Sequence, residues 1–226
     1  MISIIIPALN EEKALPRTLD SVFSQRGAYE VIVVDGGSTD RTREIAAGRP
    51  GVKLIRSGRG RAVQMNAGAR RAAGEWLLFL HADTSLSDGA LPMIEQLTPD
   101  SVAQAGCFRH RFSGKHRLLD FISWMHNRRV RVTRIIYGDQ AMFIRRRLFE
   151  ELGGFPQRPL LEDVLISEKL RKVTRPVFLA GGYVITDSRK FVQRGILRSF
   201  CEVLVILACH RLRLPIMARG FFSPVR

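Results

Sequence analysis

Cysteine is scarce: three residues in 226, Cys107, Cys201 and Cys209, with no metal-ligand spacing among them. A disulfide scaffold and a structural zinc site are therefore not expected, and a reducing compartment is. Long apolar runs are missing too. No uncharged apolar stretch reaches about 18 residues, which argues against a spanning helix. The opening Met1-Ile2-Ser3-Ile4 lacks the basic region and cleavage site of a signal peptide, so a cytoplasmic protein is expected. Two glycine signatures are also absent. Pro7-Ala8-Leu9-Asn10-Glu11 stands where a dinucleotide fold would carry Gly-x-Gly-x-x-Gly, and no Gly-x-x-x-x-Gly-Lys loop occurs, so the commonest nucleotide-binding architectures are disfavoured. What is present is ordinary for a globular domain, with 46% hydrophobic and 25% charged residues, which excludes disorder and fibre.

Acidic residues are few as well: 21 against 36 Lys and Arg, a net charge of +15. The excess is local. Residues 108–134 carry eight Lys/Arg and one acid, Asp120, and residues 189–226 carry eight more and one acid, Glu202. A nearly neutral body thus bears two basic segments, suited to anionic lipid, nucleic acid or a phosphate-rich substrate. Solvated arginines on ordinary surface are the alternative.

The first hundred residues alternate between β-branched runs and amphipathic stretches. Ile2–Ile6, Val31–Val34, Val52–Ile55 and Trp76–Leu80 read as buried strands. Helices are predicted over Glu11–Ser24, Thr42–Ala47 and 61–73, with Ser38, Thr39 or Asp40 capping the second. Such alternation implies βαβ units and a parallel sheet. Further on, strands are predicted at Ala103–Phe112, Ala141–Arg145, Val177–Leu179 and Tyr183–Thr186. Helices are predicted at Leu118–Asn127, Glu162–Lys172 and Gly195–His210.

Ligands of open parallel sheets bind beyond the carboxyl ends of the strands. That rule selects Pro7–Glu11, Asp35-Gly36-Gly37-Ser38, Ser57–Arg61 and His81-Ala82-Asp83. Acidic and amide groups there can hydrogen-bond a base and ribose. The Gly58-Arg59-Gly60-Arg61 turn can offer backbone N–H groups and guanidinium to a diphosphate, and Asp83 beside His81 can hold a divalent cation. Each segment has an ordinary alternative: a turn-closing Asp35, a glycine turn before a helix, a helix cap at Asp83. Trp124 and His126 lie at helical spacing beside Arg128 and Arg129, where they would meet an acceptor or a membrane; a core position for Trp124 is favoured.

Ile4–Glu11, Val33–Asp40 and Phe79–Thr84, followed by Gly138–Arg145, Gly153–Pro156 and Leu161–Val164, resemble a family 2 glycosyltransferase of the GT-A fold over roughly residues 2–190. Their order and spacing together carry the likeness. The short chain with His81-Ala82-Asp83-Thr84, Tyr137-Gly138-Asp139-Gln140 and a basic tail most resembles a bacterial subfamily tied to arsenosugar biosynthesis. The resemblance implies a Rossmann-like, mostly parallel sheet flanked by helices in residues 1–190, with a nucleotide-binding half (1–100), an acceptor-binding half (101–190) and a basic amphipathic helical tail (191–226).

It also implies an inverting transfer from a nucleotide-diphosphate sugar, a UDP-sugar by preference, to an acceptor hydroxyl. Pro7, Ala8, Asn10, Glu11, Asp35, Gly36, Arg59, Arg61 and Ala82 would bind the nucleotide. Asp83 matches the last carboxylate of the family's Asp-x-Asp motif, with His81 in place of the first, and the pair would hold Mn²⁺ or Mg²⁺. Asp163 would be the catalytic base, and Asp139, Gln140 and Glu162 would line the acceptor site. The apolar part of the tail, Ile196–Cys209, is only 14 residues with Arg198 and Glu202 inside it, too short to span a membrane. It would lie on an anionic inner-membrane surface together with 108–134, pack on the domain, or pair with a second subunit. The alternatives to the enzyme are an inactive nucleotide-binding homologue, or a basic protein binding nucleic acid or a membrane surface. No nucleic-acid-binding motif accompanies the charge, so nucleic acid is not the expected partner.

Overall fold

The computed structural model describes residues 1–97, 103–158 and 160–215. Its centre is β1 (Ile2–Ala8), whose seven residues are all buried. Successive side chains of a strand point to opposite faces, and both faces here are covered. Ile2, Ile4, Ile6 and Ala8 enter one apolar cluster, while Ile5 enters another on the far side. β1 lies parallel between β2 (Tyr29–Asp35) and β4 (Trp76–Phe79), and β3 (Val52–Arg56) lies parallel outside β2. The helices α1 (Leu15–Phe23), α2 (Thr42–Ala47) and α3 (Arg61–Arg71) make the crossovers.

The sequence-predicted helix over Glu11–Ser24 begins only at Leu15. The N–H groups of Glu11 and Glu12 are taken by the Thr42 hydroxyl (2.8 Å) and the Asp40 carboxylate (3.1 Å), and Pro16 falls in the first turn, where proline is tolerated. None of the three capping candidates is the N-cap of α2: that position is Arg41, and Asp40, one residue earlier, accepts from Thr42 N–H at 3.0 Å.

After β4 the chain forms β5 (Thr84–Leu86), α4 (Ala90–Glu95), β6 (Ala105–Phe112) and the long α5 (Arg117–Thr133). A 3-10 turn (Gly138–Gln140), β7 (Phe143–Arg145), α6 (Arg146–Glu151), α7 (Glu162–Val173), β8 (Val177–Thr186), α8 (Arg189–Arg194) and α9 (Ile196–Arg211) follow. The eight-stranded sheet has the order β3-β2-β1-β4-β7-β6-β8-β5. β7 runs antiparallel to both β4 and β6, and β5 antiparallel to β8, so the second half of the sheet is mixed. The two short strands predicted at 177–186 are one strand. Its register against β6 slips between Phe108 and Arg109, so Leu179 pairs with Phe108 and Tyr183 with Arg109.

The tail is part of the fold. Ile196 and Phe200 of α9 join Phe191 of α8 against Phe112, Leu119 and Ile122. The final residues of the predicted 191–226 tail, from 216 onward, lie outside the described residues. Trp124 corrects the core expectation: it is 56% exposed, stacked on Phe121 at 5.8 Å with Arg128 at 5.9 Å from its ring. Several arginines of the 108–134 segment pack on aromatic rings of the protein itself. Arg111 lies 4.4 Å from the Tyr183 ring, Arg131 4.8 Å from Phe178, and Arg129 3.3 Å from Tyr137.

Gly68 sets how closely α3 approaches the sheet: a Cβ there would stand 2.4 Å from Ile5 Cγ2 and 3.0 Å from Val34 Cγ2. Alanine would gain about 1 kcal/mol of helix propensity, but overpacking a closed core costs about 1–3 kcal/mol. Gly68→Ala should therefore lower stability by up to about 2 kcal/mol in denaturant unfolding; a stabilised variant would contradict this packing.

Candidate functional site

The strand ends that the sequence selects meet around a cavity of about 480 Å³. Pro7 near the end of β1 and Leu9 and Glu11 after it form one wall, with Arg59, Gly60 and Arg61 at the start of α3 and His81, Ala82 and Asp83 after β4. Opposite lie Tyr137, Gly138 and Asp139 and the start of α7 with Glu162 and Asp163. Further lining comes from His126 of α5, from Thr186, Asp187 and Lys190, and from Phe200, Val203, Ile206 and Leu207 of α9, so the tail roofs the site.

Five predicted residues stand behind this wall and support it. Asp35 is 1% exposed, and its carboxylate accepts from the N–H groups of Gly37 and Ser38 at 3.1 Å. Asn10, at a φ of 56°, accepts from Thr39 N–H at 2.9 Å and so ties the first strand-end loop to the second. Gly36 makes room for Gln64, whose amide donates to the carbonyls of Ala8 and Val34, both at 2.8 Å; a Cβ at Gly36 would lie 2.8 Å from that side chain. Ala8 itself is buried in the core. Gln140 is wholly buried, and its oxygen accepts from Arg129 at 3.2 Å and from Tyr137 N–H at 3.3 Å.

The charges in the cavity are paired. Lys190 donates to Glu11 Oε1 and to Asp83 Oδ2, each at 3.0 Å. Burial alone would raise the Asp83 carboxyl, but Lys190 and the neighbouring His81 and Arg61 hold it below the usual range. Burial outweighs Lys190 at Glu11 and raises that carboxyl. Burial would likewise lower Lys190, but Asp83 and Glu11 reverse the effect. His81 is pushed down to about 4 by burial and by Arg61, whose guanidinium stands 3.4 Å from Nε2, so the imidazole is neutral near pH 7.

Arg61 pairs with Glu162 at 3.0 Å, and burial raises that carboxyl, with Asp163 adding like charge. Asp163 accepts from Gly138 N–H at 2.6 Å and from Val164 N–H at 2.8 Å, which fixes the carboxylate against the 3-10 turn while leaving lone pairs unused. Leu161, just before it, holds a left-handed φ of 64°. A non-glycine residue in that conformation is costly and concentrates at functional sites.

One strand end escaped the sequence reading. Asp187 and Lys190 follow β8, which is parallel to β6, and the rule applied to the first four strands would have found them there. His110 was missed for lack of any local motif. It is wholly buried on β6, its Nε2 3.7 Å from Asp139, while His126 Nδ1 on α5 lies 3.5 Å from the same carboxylate.

For a donor-site metal, the chemistry of the donor set is restrictive. Asp83 is a single carboxylate already in contact with Lys190, and His81 faces Arg61. These two residues fit an ion that is also held by a ligand's phosphates, which is how Mg²⁺ and Mn²⁺ are commonly bound.

The pattern of Glycosyl transferase family 2 matches residues 3–153, and the chain belongs to that family. A Mycobacterium bovis BCG protein named as a PGL/p-HBAD biosynthesis glycosyltransferase is 35% identical over 178 residues, covering 70% of this chain and 64% of its own length. The chain thus spans a little under two thirds of that relative. A Staphylococcus haemolyticus 4,4'-diaponeurosporenoate glycosyltransferase is 39% identical over 95 residues, 38% of this chain and 25% of the relative. Among solved structures, S. aureus TarS 1-349 superposes with a TM-score of 0.66 at 20% identity, covering 89% of this chain and 64% of that one. The mannosyltransferase PcManGT from Pyrobaculum calidifontis, solved with GDP-Man and Mn²⁺, gives 0.65 at 25% identity, covering 81% and 56%. The fold is GT-A, as the motifs implied.

The Arg61–Glu162 pair can be tested without any substrate. Arg61→Met would leave Glu162, 4% exposed, without its counter-charge. Removing one partner of a buried pair costs up to about 3–5 kcal/mol. The Arg61 side chain is 32% exposed, so a deficit of about 2 kcal/mol at pH 7 is expected here. Glu162 is raised above its ordinary 4.5 in the folded state, so its protonation favours folding. The deficit should therefore shrink as pH falls toward 4.5 and be full at neutral pH. A deficit independent of pH in denaturant titrations would contradict the pairing.

Proposed function

We propose that this chain transfers a glycosyl group from a nucleotide-diphosphate sugar, UDP-linked by preference, to an acceptor hydroxyl with inversion. The observation that carries this reading is the gathering of three cations and a fixed carboxylate in one cavity at the strand ends. Arg59, Arg61 and Lys190 line it, and Asp163 stands on the wall formed by α7. The cations suit the diphosphate and oppose the charge that grows on it as the sugar leaves. Pro7, Ala8, Asn10, Glu11, Asp35, Gly36 and Ala82 make or brace the base and ribose side. Asp163 is the base: an attacking hydroxyl needs a carboxylate within hydrogen-bond reach. A single such carboxylate on the face opposite the leaving group gives one displacement and inversion. Asp139 and Glu162 frame the acceptor side, with Gln140 holding the turn that carries Asp139. Asp83, with His81 beside it, would hold Mn²⁺ or Mg²⁺ together with the donor phosphates, and the ion would supply further charge neutralisation.

The His81–Thr84 and Tyr137–Gln140 runs support the subfamily tied to arsenosugar biosynthesis, which makes small metabolites the first acceptors to screen. A cytoplasmic enzyme resting on the inner membrane face is supported by the outer surface. Phe121 and Trp124 on α5 and Leu197, Leu204 and Val205 on α9 are exposed apolar side chains among arginines. Among the described residues no helix is long and apolar enough to cross a membrane.

Calorimetric titration with UDP and GDP, with and without Mn²⁺, tests the donor site; no binding of either would remove it. Asp163→Asn should reduce transfer by about 10²–10⁴-fold with nucleotide affinity unchanged, since Asn still accepts from Gly138 N–H. Full activity, or loss of nucleotide binding, would refute the base. In co-sedimentation, vesicles containing phosphatidylglycerol should retain the protein and pure phosphatidylcholine should not. Equal retention by both would exclude the electrostatic surface.

A further inference from the structure

We propose that His110, His126 and Asp139 form a binding site for a divalent transition-metal ion of the Zn²⁺ type, separate from Asp83 and opening on the acceptor side of the cavity. The three residues come from different elements: β6, α5 and the 3-10 turn after it. Their ligand atoms all lie within 4.8 Å of one another. Ligands about 2.0–2.1 Å from a tetrahedral ion stand about 3.3 Å apart. The observed separations of 3.5 Å from His126 Nδ1 to Asp139 Oδ2, and 3.7 Å from His110 Nε2 to the same oxygen, are close to that spacing.

The polar atoms of the cluster are otherwise unspent. His110 Nδ1 and Nε2, His126 Nδ1 and Asp139 Oδ1 are buried and have no hydrogen-bond partner. A buried polar group without a partner costs about 1–3 kcal/mol, so a wholly buried imidazole with both nitrogens idle asks for a ligand. An ion bound by His110, His126 and Asp139 would use three of these groups at once.

The backbone holds the rings in place without consuming them. Asn127, beside His126, accepts from His110 N–H at 2.8 Å and donates to His110 carbonyl at 2.9 Å, clamping α5 to β6. The His110 ring meets Phe112 edge-on at 4.6 Å, and His126 meets Tyr137 edge-on at 5.5 Å. Two imidazoles and one carboxylate are the ligand set of open, catalytic-type sites, with coordination positions left for a substrate oxygen. Here those positions face the cavity, because His126 and Asp139 line it.

Gly138, next to Asp139, donates to Asp163, so an acceptor oxygen on the ion would be presented beside the proposed base. This acceptor-side role rests on the glycosyl-transfer reading; the ion site does not.

The test uses the whole protein, stripped with a chelator and titrated with Zn²⁺ against a chromophoric competitor. One equivalent should bind. His126→Ala and the near-isosteric Asp139→Asn should each weaken binding by more than about 100-fold, with circular dichroism unchanged. Asp83→Asn should leave it intact. No stoichiometric binding by the parent protein, binding that survives both cluster variants, or loss of binding in Asp83→Asn would each overturn the site. UDP titration of the same samples separates the two proposals. Zn²⁺ bound without UDP binding would keep the site and remove its acceptor role. UDP binding without Zn²⁺ would overturn the site alone.

Discussion

Strand β1 is buried along its whole length and on both faces, so the chain can change from apolar to polar only at the strand's ends. That constraint shapes the molecule around it. β2 and β4 lie parallel to β1 and end at the same edge, and the loops leaving that edge bring Pro7, Leu9, Glu11 and the His81–Asp83 turn to one place. Nothing in those loops is long enough to be a core of its own. They are held by each other, through Asn10 to Thr39, Glu11 to Thr42 and Gln64 to the carbonyls of β1 and β2. Rigid strands supply the position, and short side-chain-to-backbone bonds supply the shape.

The second half of the chain closes what the first half opens. α8 and α9 do not stand apart as a tail. Lys190 reaches Glu11 and Asp83, and α9 lays Phe200, Val203, Ile206 and Leu207 over the cavity. One side chain joins carboxylates 179 and 107 positions away in the chain, and it places a cation between two half-buried acids. The same side chain thus neutralises the edge of the sheet, pins the roof and faces the space assigned to a diphosphate. The opposite wall is organised around the 3-10 turn, where Gly138 orders Asp163 and Asp139 turns toward His110 and His126.

The basic surplus divides on inspection into different uses. Arg111, Arg129 and Arg131 lie against aromatic rings, and Arg129 also donates to the Ile135 carbonyl and to Gln140. Arg61 and Lys190 serve the cavity. Arg128 stays outside beside the exposed Trp124. A net charge of +15 is therefore not one uniform field reserved for a partner. Part of it packs on aromatic rings, part lines the cavity, and Arg128 stands beside an exposed aromatic ring.

The sequence by itself determined the first four strands and the family, because both are written in short runs: β-branched stretches ended by Pro7, Asp35 and His81. The positions of Asp83 and Asp163 were legible for the same reason, as each stands beside an element end. Where the chain pairs antiparallel or slips register, local pattern was blind. β5, α4 and α6 are three to six residues long, too short for periodicity to emerge, and β8 read as two strands across its irregular middle. Trp124 read as core because its hydrophobicity is visible and its neighbours are not. Only the tertiary structure decided that Asp35 and Gln140 stand behind the cavity wall, that α9 lies over the cavity, and that His110 meets His126 and Asp139. These outcomes depend on long-range juxtaposition, which spacing along one chain does not encode.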